Sequence, residues 1–339
     1  QNNENAMQYR LIPQAQIELS AVGIGAMSFA DFYGPVTEDQ AHAILDRARQ
    51  AGINHIDTAN IYGRGNSETF IGHYLQAHPG VREEFFIATK AGIGSNPETK
   101  ERIFSNEPGY LRRELEKSLG RLGTDYVDLF YIHRRDREHS IEQVMETLMG
   151  FQEEGLIKHI GLSEIAPTTL ERAWSVGPVA AVQSEYSLAT RAPELGLLSR
   201  CQRLGTTFVA FSPVGRSLLT DKPRLSHEIP NLQFLKTNPR FLSPNLELNI
   251  EAVDPLREYA KSLGKTTAQL AVSWVLSKSQ NIITIPGTRS VDHLEAHIRA
   301  ANEPLTAQQI QQCEEILEVG WCHGDRYSDA NWIGPEKYC

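Results

Sequence analysis

Several residue types and patterns are scarce in this chain. Only four cysteines occur in 339 residues, Cys201, Cys313, Cys322 and Cys339. They form no CxxC pair and no zinc-ligand spacing, so neither a disulfide framework nor a metal site is expected. Scattered thiols of this kind fit a reducing compartment, and a cytoplasmic location is the expectation. No apolar run approaches the roughly 20 residues that a membrane helix needs, so no membrane partner is expected. Basic side chains are outnumbered, 33 against 42 acidic ones, for a net charge of −9. With no run of Lys or Arg, that balance argues against a sequence-independent nucleic-acid binder. No basic-then-apolar leader opens the chain. Residues 1–6 read as an N-terminal extension or a foreign remnant ahead of Met7.

What is present is an ordinary globular composition, 40% hydrophobic and 22% charged. Short β-branched or apolar runs recur at 22–27, 54–57, 85–89, 126–133, 159–162, 179–183, 207–211 and 282–285. Helical periodicities separate them. Ala41, Ile44, Leu45 and Ala48 share one face, as do Leu111, Leu115, Leu119 and Leu122. Ile141, Val144, Met145 and Leu148 repeat the spacing, as do Val253, Leu256, Ala260 and Leu263. Leu294, Ile298 and Ala301 mark a late helix. Strand-then-helix repetition predicts parallel strands joined by right-handed crossovers, and eight such units close a (β/α)8 TIM barrel. An open doubly wound sheet is the competitor. It is disfavoured because Gly23-Ile-Gly25-Ala-Met-Ser28 stops one glycine short of a dinucleotide fingerprint. The α/β barrel is expected as one domain over 7–339, preceded by a hairpin (9–11 with 16–19). A long loop follows strand seven (213–250, with five prolines), and an aromatic tail follows Leu317. That tail either covers a barrel mouth or packs on the surface.

Chemistry in such a barrel sits at the C-terminal strand ends. Strand two ends in Asp57, with Tyr62 five residues on. Strand three ends in Lys90 and strand four in His133. A polar residue at a strand end is usually a solvated edge group, but four such types on three consecutive units point to one site. A phenol is a weak acid near pKa 10, and an ammonium beside it is expected to lower that value. A carboxylate keeps the lysine charged, and an imidazole orients a substrate oxygen. Tyr62 is then placed to protonate a carbonyl oxygen as hydride is added. The hydride requires a cofactor, because no side chain donates it. Ile285-Pro-Gly-Thr-Arg-Ser290 leads from strand eight into a helix, where backbone N–H groups suit a phosphate and Arg289 suits a 2′-phosphate. A plain strand–helix turn would look the same. Ser163 and Gln183 each offer a donor and an acceptor for a carboxamide, and Phe211 offers a flat face for a nicotinamide ring.

The chain resembles the aldo-keto reductases over essentially its whole length. The resemblance rests on Gly23-Ile-Gly25-Ala-Met27, Asp57-Thr-Ala-Asn-Ile-Tyr-Gly63, Ala88-Thr-Lys90, Asp128-Leu-Phe-Tyr-Ile-His133 and Gly161-Leu-Ser-Glu164. Gln183-Ser-Glu-Tyr-Ser187, Phe211-Ser-Pro-Val-Gly-Arg216 and Ile285-Pro-Gly-Thr-Arg289 complete it. Asp31-Phe-Tyr-Gly34 and Asn238-Pro-Arg-Phe241 look most like the bacterial and fungal branch of general oxidoreductases or pyridoxal reductases. The resemblance implies an NADPH-dependent carbonyl reductase acting on a small-molecule aldehyde or ketone. It implies Tyr62 as the acid, Asp57 and Lys90 as its tuning pair, and His133 as the carbonyl-orienting group. Cofactor contacts are implied for Gly25, Ala26, Met27, Asp57, Ser163, Gln183 and Phe211. They extend to Ser212, Pro213, Val214, Gly215 and Arg216 at the pyrophosphate, and to Gly287, Thr288 and Arg289 at the adenosine phosphate. Phe32, Tyr33 and His133 are expected at the substrate.

Three departures stand out. Glu164 replaces a frequent asparagine, Phe211 replaces a frequent tyrosine, and His293, Ala296 and His297 replace an Arg, Glu and Asn set that holds adenosine. His293 and His297 are therefore the expected contacts of a reshaped adenine grip. Two alternatives stay open: a regulatory subunit that binds cofactor with little turnover, and a Schiff-base aldolase using Lys90. Oligomeric state is not readable from the sequence.

Overall fold

The computed structural model describes residues 6–32 and 34–339. Tyr33 and residues 1–5 lie outside the described residues. Strands β1 (Tyr9–Ile12) and β2 (Ile17–Ser20) form the antiparallel hairpin. Arg10 anchors it beneath the barrel, donating to the carbonyls of Ser279, Ile282 and Leu276 at 2.7, 2.6 and 2.9 Å.

Strands β3 (Ile24–Gly25), β4 (His55–Asp57) and β5 (Phe86–Ala91) open the barrel. A small antiparallel pair, β6 (Ile93–Ser95) and β7 (Arg102–Phe104), rises from the end of β5. The barrel continues with β8 (Val127–Ile132), β9 (Ile157–Ser163), β10 (Ala181–Glu185), β11 (Thr207–Phe211) and β12 (Ile282–Thr284). These eight strands pair in parallel, in chain order from β3 to β12. Parallel bridges Val22 to Thr284 and Gly25 to Gly287 close the ring. Gly25 is required at that seam. A Cβ there would lie 2.3 Å from the carbonyl oxygen of Ile285, a main-chain atom that cannot step aside.

Two apolar layers hold the strands. Inside, Ile12 and Leu19 of the hairpin plug the lower end against Phe86, Ala88, Leu129, Tyr131, Val209 and Ile283. Outside, the helical faces read from the sequence are buried against the sheet, including Ile44, Leu45, Leu111, Leu115, Met145, Leu148, Val253 and Leu256. Each fully buried aliphatic side chain of this kind contributes roughly 1.5–3 kcal/mol. The helices start where chemistry allows: Thr37 with Gln40 and Ser140 with Gln143 form capping boxes.

The structure revises some boundaries. The connection after β11 ends at Pro244, because a helix begins inside the expected loop and runs Asn245–Ser262. The connection carries its own small core of Leu218, Ile229, Leu232, Leu235, Phe241 and Leu246. The helix Thr267–Ser277 is buried nearly all round, so it shows no amphipathic period. The tail crosses the C-terminal mouth. Its Glu336 accepts from the Ala166 N–H at 3.2 Å and from the Thr169 hydroxyl at 2.9 Å. Among the described residues, no helix is long and apolar enough to cross a membrane.

Candidate active site

The four strand-end residues meet at one mouth. Asp57 ends β4, and Lys90 lies one strand over in β5 with its side chain wholly buried. The Lys90 ammonium donates to Asp57 Oδ1 and, at 2.8 Å, to the Thr58 carbonyl. Gln183 Nε2 donates to the other Asp57 oxygen at 2.8 Å. Tyr62 sits in a turn where Gly63 and Arg64 take left-handed backbone, φ 60° and 54°. That turn sets its ring beside Lys90 and His133. The Lys90 ammonium lies 5.2 Å from the Tyr62 ring centroid. The Phe32 and His133 rings meet Tyr62 edge-on at 6.1 and 5.8 Å. The His133 backbone N–H donates to the Ala91 carbonyl at 2.7 Å. Its Nδ1 is buried without a hydrogen-bond partner.

The electrostatics differ in one respect from the expectation. Burial pushes the Tyr62 phenol up from its ordinary 10.0, and the opposing pull of Lys90 does not reverse this. The phenol is therefore held in its protonated form. Burial also disfavours the charge on Lys90, but Asp57 and Tyr62 together outweigh it and the ammonium is held above its ordinary value. Burial, then Arg134, Lys90 and Arg102, holds His133 well below 6.5, so the imidazole is neutral at pH 7. The arrangement thus offers one protonated phenol, one fixed cation beside it and one neutral imidazole, all facing the same space.

The residues expected around a cofactor rim the same mouth. Ser163 is buried and its Oγ accepts from Arg134 at 3.1 Å. Phe211 ends β11 half-buried. Beyond it Ser212, Gly215, Arg216 and Ser217 all take positive φ (50°, 59°, 56° and 95°), flanking buried Pro213 and half-buried Val214. The step from Val214 (φ −102°, ψ 15°) to left-handed Gly215 is the right-then-left-handed succession that turns backbone N–H groups into a concave cradle suited to an anion. The Arg216 guanidinium turns away from that cradle to Glu185 Oε1, 2.8 Å. Ser28 stitches Gly25, Ala26 and Met27 to the far rim, its Oγ donating to Gly25 and Thr288 carbonyls at 3.0 and 2.9 Å. Gly287 is exposed and Thr288 buried. The Arg289 guanidinium passes over Gly34, where a Cβ would be 2.5 Å from Nη1. His293 is exposed at the start of the helix Val291–Asn302. His297 is buried with Nδ1 unpartnered, and burial pushes it down to about 3.

Other interactions were not legible in the sequence. Glu164, in left-handed backbone at φ 54°, accepts a two-point contact from Arg326 of the tail. Glu185 is buried among Arg216, Arg240 and Arg326. Arg224, from the connection after β11, acts electrostatically on Arg289. None of these has a local spacing signal, since Glu164 and Arg326 are 162 positions apart. Burial opposes the charge on Glu185, but Arg216, Arg326 and Arg240 outweigh it and hold the group at about 2 rather than 4.5. Its stabilising contribution is therefore present above about pH 4.5 and lost as pH falls toward about 2. Urea midpoints measured across that window are expected to fall less steeply in Glu185→Gln than in the wild type. Equal slopes would contradict the ionic cluster.

The aldo/keto reductase family model matches residues 21–318. An aldo-keto reductase of Schizosaccharomyces pombe, named for NADP(+), is 36% identical over 310 residues, 91% of each chain. A probable aldo-keto reductase of Glycine max is 36% identical over 313 residues, 91% of this chain and 89% of that one. Among solved structures, a glycerol dehydrogenase of Gluconobacter oxydans superposes with TM-score 0.78 at 26% identity, covering 93% and 96% of the two chains. The holo form of a Bacillus halodurans aldo-keto reductase gives 0.77 at 26%, covering 93% and 97%. With its sequence matched nearly end to end and its barrel superposed on theirs, this chain belongs to the aldo/keto reductase family.

Proposed function

We propose that the protein reduces an aldehyde or ketone to the alcohol with NADPH, using Tyr62 as general acid. The observation that carries this is the placement of the Tyr62 ring between the buried Lys90 ammonium and neutral His133. An acid must hold its proton in the ground state, and burial ensures that Tyr62 does. A neutral His133 can donate one N–H to the carbonyl oxygen and fix its approach. As negative charge grows on that oxygen, the phenol passes its proton across, and the adjacent ammonium stabilises the phenolate left behind. Lys90 is unsuited to Schiff-base chemistry, because Asp57 holds it charged and hence non-nucleophilic.

The residues present fit a dinucleotide. The cradle at 212–217 suits a pyrophosphate, and the unpartnered His297 Nδ1 suits an adenosine polar atom. Ser163 Oγ still has a proton to donate, and Gln183 keeps its amide oxygen as acceptor, which is the pair a carboxamide needs. When bound, NADPH supplies the hydride. Arg289, reinforced by Arg224, would hold the 2′-phosphate that separates NADPH from NADH. The soluble-assay test is NADPH consumption with a panel of aldehydes, each coupled to identification of the alcohol. Cofactor binding without turnover on any of them would favour the regulatory-subunit reading. In Arg289→Ala, the Kd for NADPH is expected to rise about tenfold more than that for NADH, by titration calorimetry. Equal losses would remove the 2′-phosphate assignment.

A further inference from the structure

Two guanidinium groups stand on the substrate side of the mouth without a carboxylate. Arg102 lies on β7 and shares a strand face with Phe104, two residues on. Its guanidinium carbon is 5.6 Å from the Phe104 ring centroid, and its Nη1 donates to the Asn331 side chain of the tail at 3.2 Å. Arg134 follows His133 directly. It donates to the His133 carbonyl at 2.6 Å, to Ser163 Oγ at 3.1 Å and to the Tyr327 hydroxyl at 3.2 Å. The two side chains share one wall. A Cβ on Gly334 of the tail would lie 2.9 Å from both the Phe104 ring and the Arg134 side chain.

Every hydrogen-bond acceptor named for these two arginines is neutral. Among the described residues no carboxylate comes within 4.0 Å of either. The nearby Glu164 is occupied by Arg326. Around the same mouth, Arg216 pairs with Glu185, Arg326 with Glu164 and Lys90 with Asp57, whereas Arg10 beneath the barrel is held by three backbone carbonyls. Arg102 is accessible yet surrounded by protein, and burial followed by repulsion from Arg134 works against its charge. Arg134 adjoins His133 in the chain and donates to its carbonyl, and both guanidiniums act electrostatically on the imidazole. A further unused donor lies beside them. Trp332 Nε1, next to Asn331, is buried without a partner. Facing like charges with only neutral partners are stabilised by an anion, and guanidinium matches the two oxygens of a carboxylate or phosphate.

We propose that the substrate carries an anionic group, a carboxylate or a phosphate ester, held by Arg102 and Arg134 while its carbonyl meets Tyr62 and His133. This rests on the reductase reading above. Arg102 is the residue to change, because it stands on an exposed hairpin where truncation spares the core. The assay is NADPH oxidation with two matched pairs: 4-carboxybenzaldehyde against 4-methylbenzaldehyde, and glyceraldehyde 3-phosphate against glyceraldehyde. In the wild type kcat/KM is expected to favour the charged member of at least one pair by about tenfold, mainly through KM. Which pair shows the preference tells carboxylate from phosphate. Arg102→Met is expected to cut the charged-to-neutral ratio about tenfold, Arg102→Lys to retain part of it, and added NaCl to raise KM for the charged aldehyde alone. Equal kcat/KM within both pairs, or an unchanged ratio in Arg102→Met, overturns the anionic substrate and leaves the reductase reading standing. Failure of all four aldehydes would instead overturn the reductase reading.

Discussion

Tyr62→Phe is expected to lower kcat for carbonyl reduction by at least about 10²-fold while leaving the Kd for NADPH within about threefold. The substitution removes one oxygen and little else. The ring that remains keeps its edge-on contacts with Phe32 and His133, so the mouth keeps its shape. What is lost is the only phenolic proton on that ring, needed in the transition state and not in the binary complex. Burial raises the Tyr62 phenol, so the acid stays loaded through neutral and mildly alkaline pH. The reduction rate is accordingly expected to show no loss between about pH 6 and 8 from Tyr62 ionisation. Stopped-flow turnover with an aldehyde and fluorescence titration with NADPH check both halves. Unchanged turnover in the variant would remove Tyr62 from the acid role.

The barrel and the meeting of Asp57, Tyr62, Lys90 and His133 were legible because each signal is local. A parallel strand followed by an amphipathic helix repeats every few tens of residues, and its polar end points to one rim. The direction of the phenol's shift was not legible. A sequence shows that an ammonium is near a phenol, but burial decides the sign, and burial belongs to the folded chain. The tail was open for the same reason. Its Arg326, Tyr327 and Glu336 act through Glu164, Arg134 and Thr169, all more than 150 positions away. The pair β6 and β7 was missed because three-residue strands carry no period. Yet that pair supplies Arg102. In this fold the parts proposed to perform the common chemistry announce themselves along the chain. The parts proposed to choose the substrate are assembled from distant segments.

Lys90→Met is expected to lower stability by about 3–5 kcal/mol and also to lower kcat by about 10²-fold or more. The two losses have separate causes and can be pulled apart. Lys90 is wholly buried and Asp57 nearly so. Removing the ammonium leaves a buried carboxylate with the Gln183 amide, at 2.8 Å, in place of a cation. Burial then favours the protonated acid in the folded state, raising its pKa above the unfolded value. Such a group stabilises the fold at low pH and loses that contribution as pH rises through the folded pKa. The stability gap between Lys90→Met and wild type, measured by urea unfolding, should therefore narrow as pH falls from 7 toward 4. Adding Asp57→Asn removes the stranded charge and should restore most of the lost stability at pH 7. It should not restore turnover, because no cation remains to stabilise the Tyr62 phenolate. A double variant as unstable as Lys90→Met would show that the lysine acts through packing, and one that regained turnover would show that the ammonium has no part in the proton transfer.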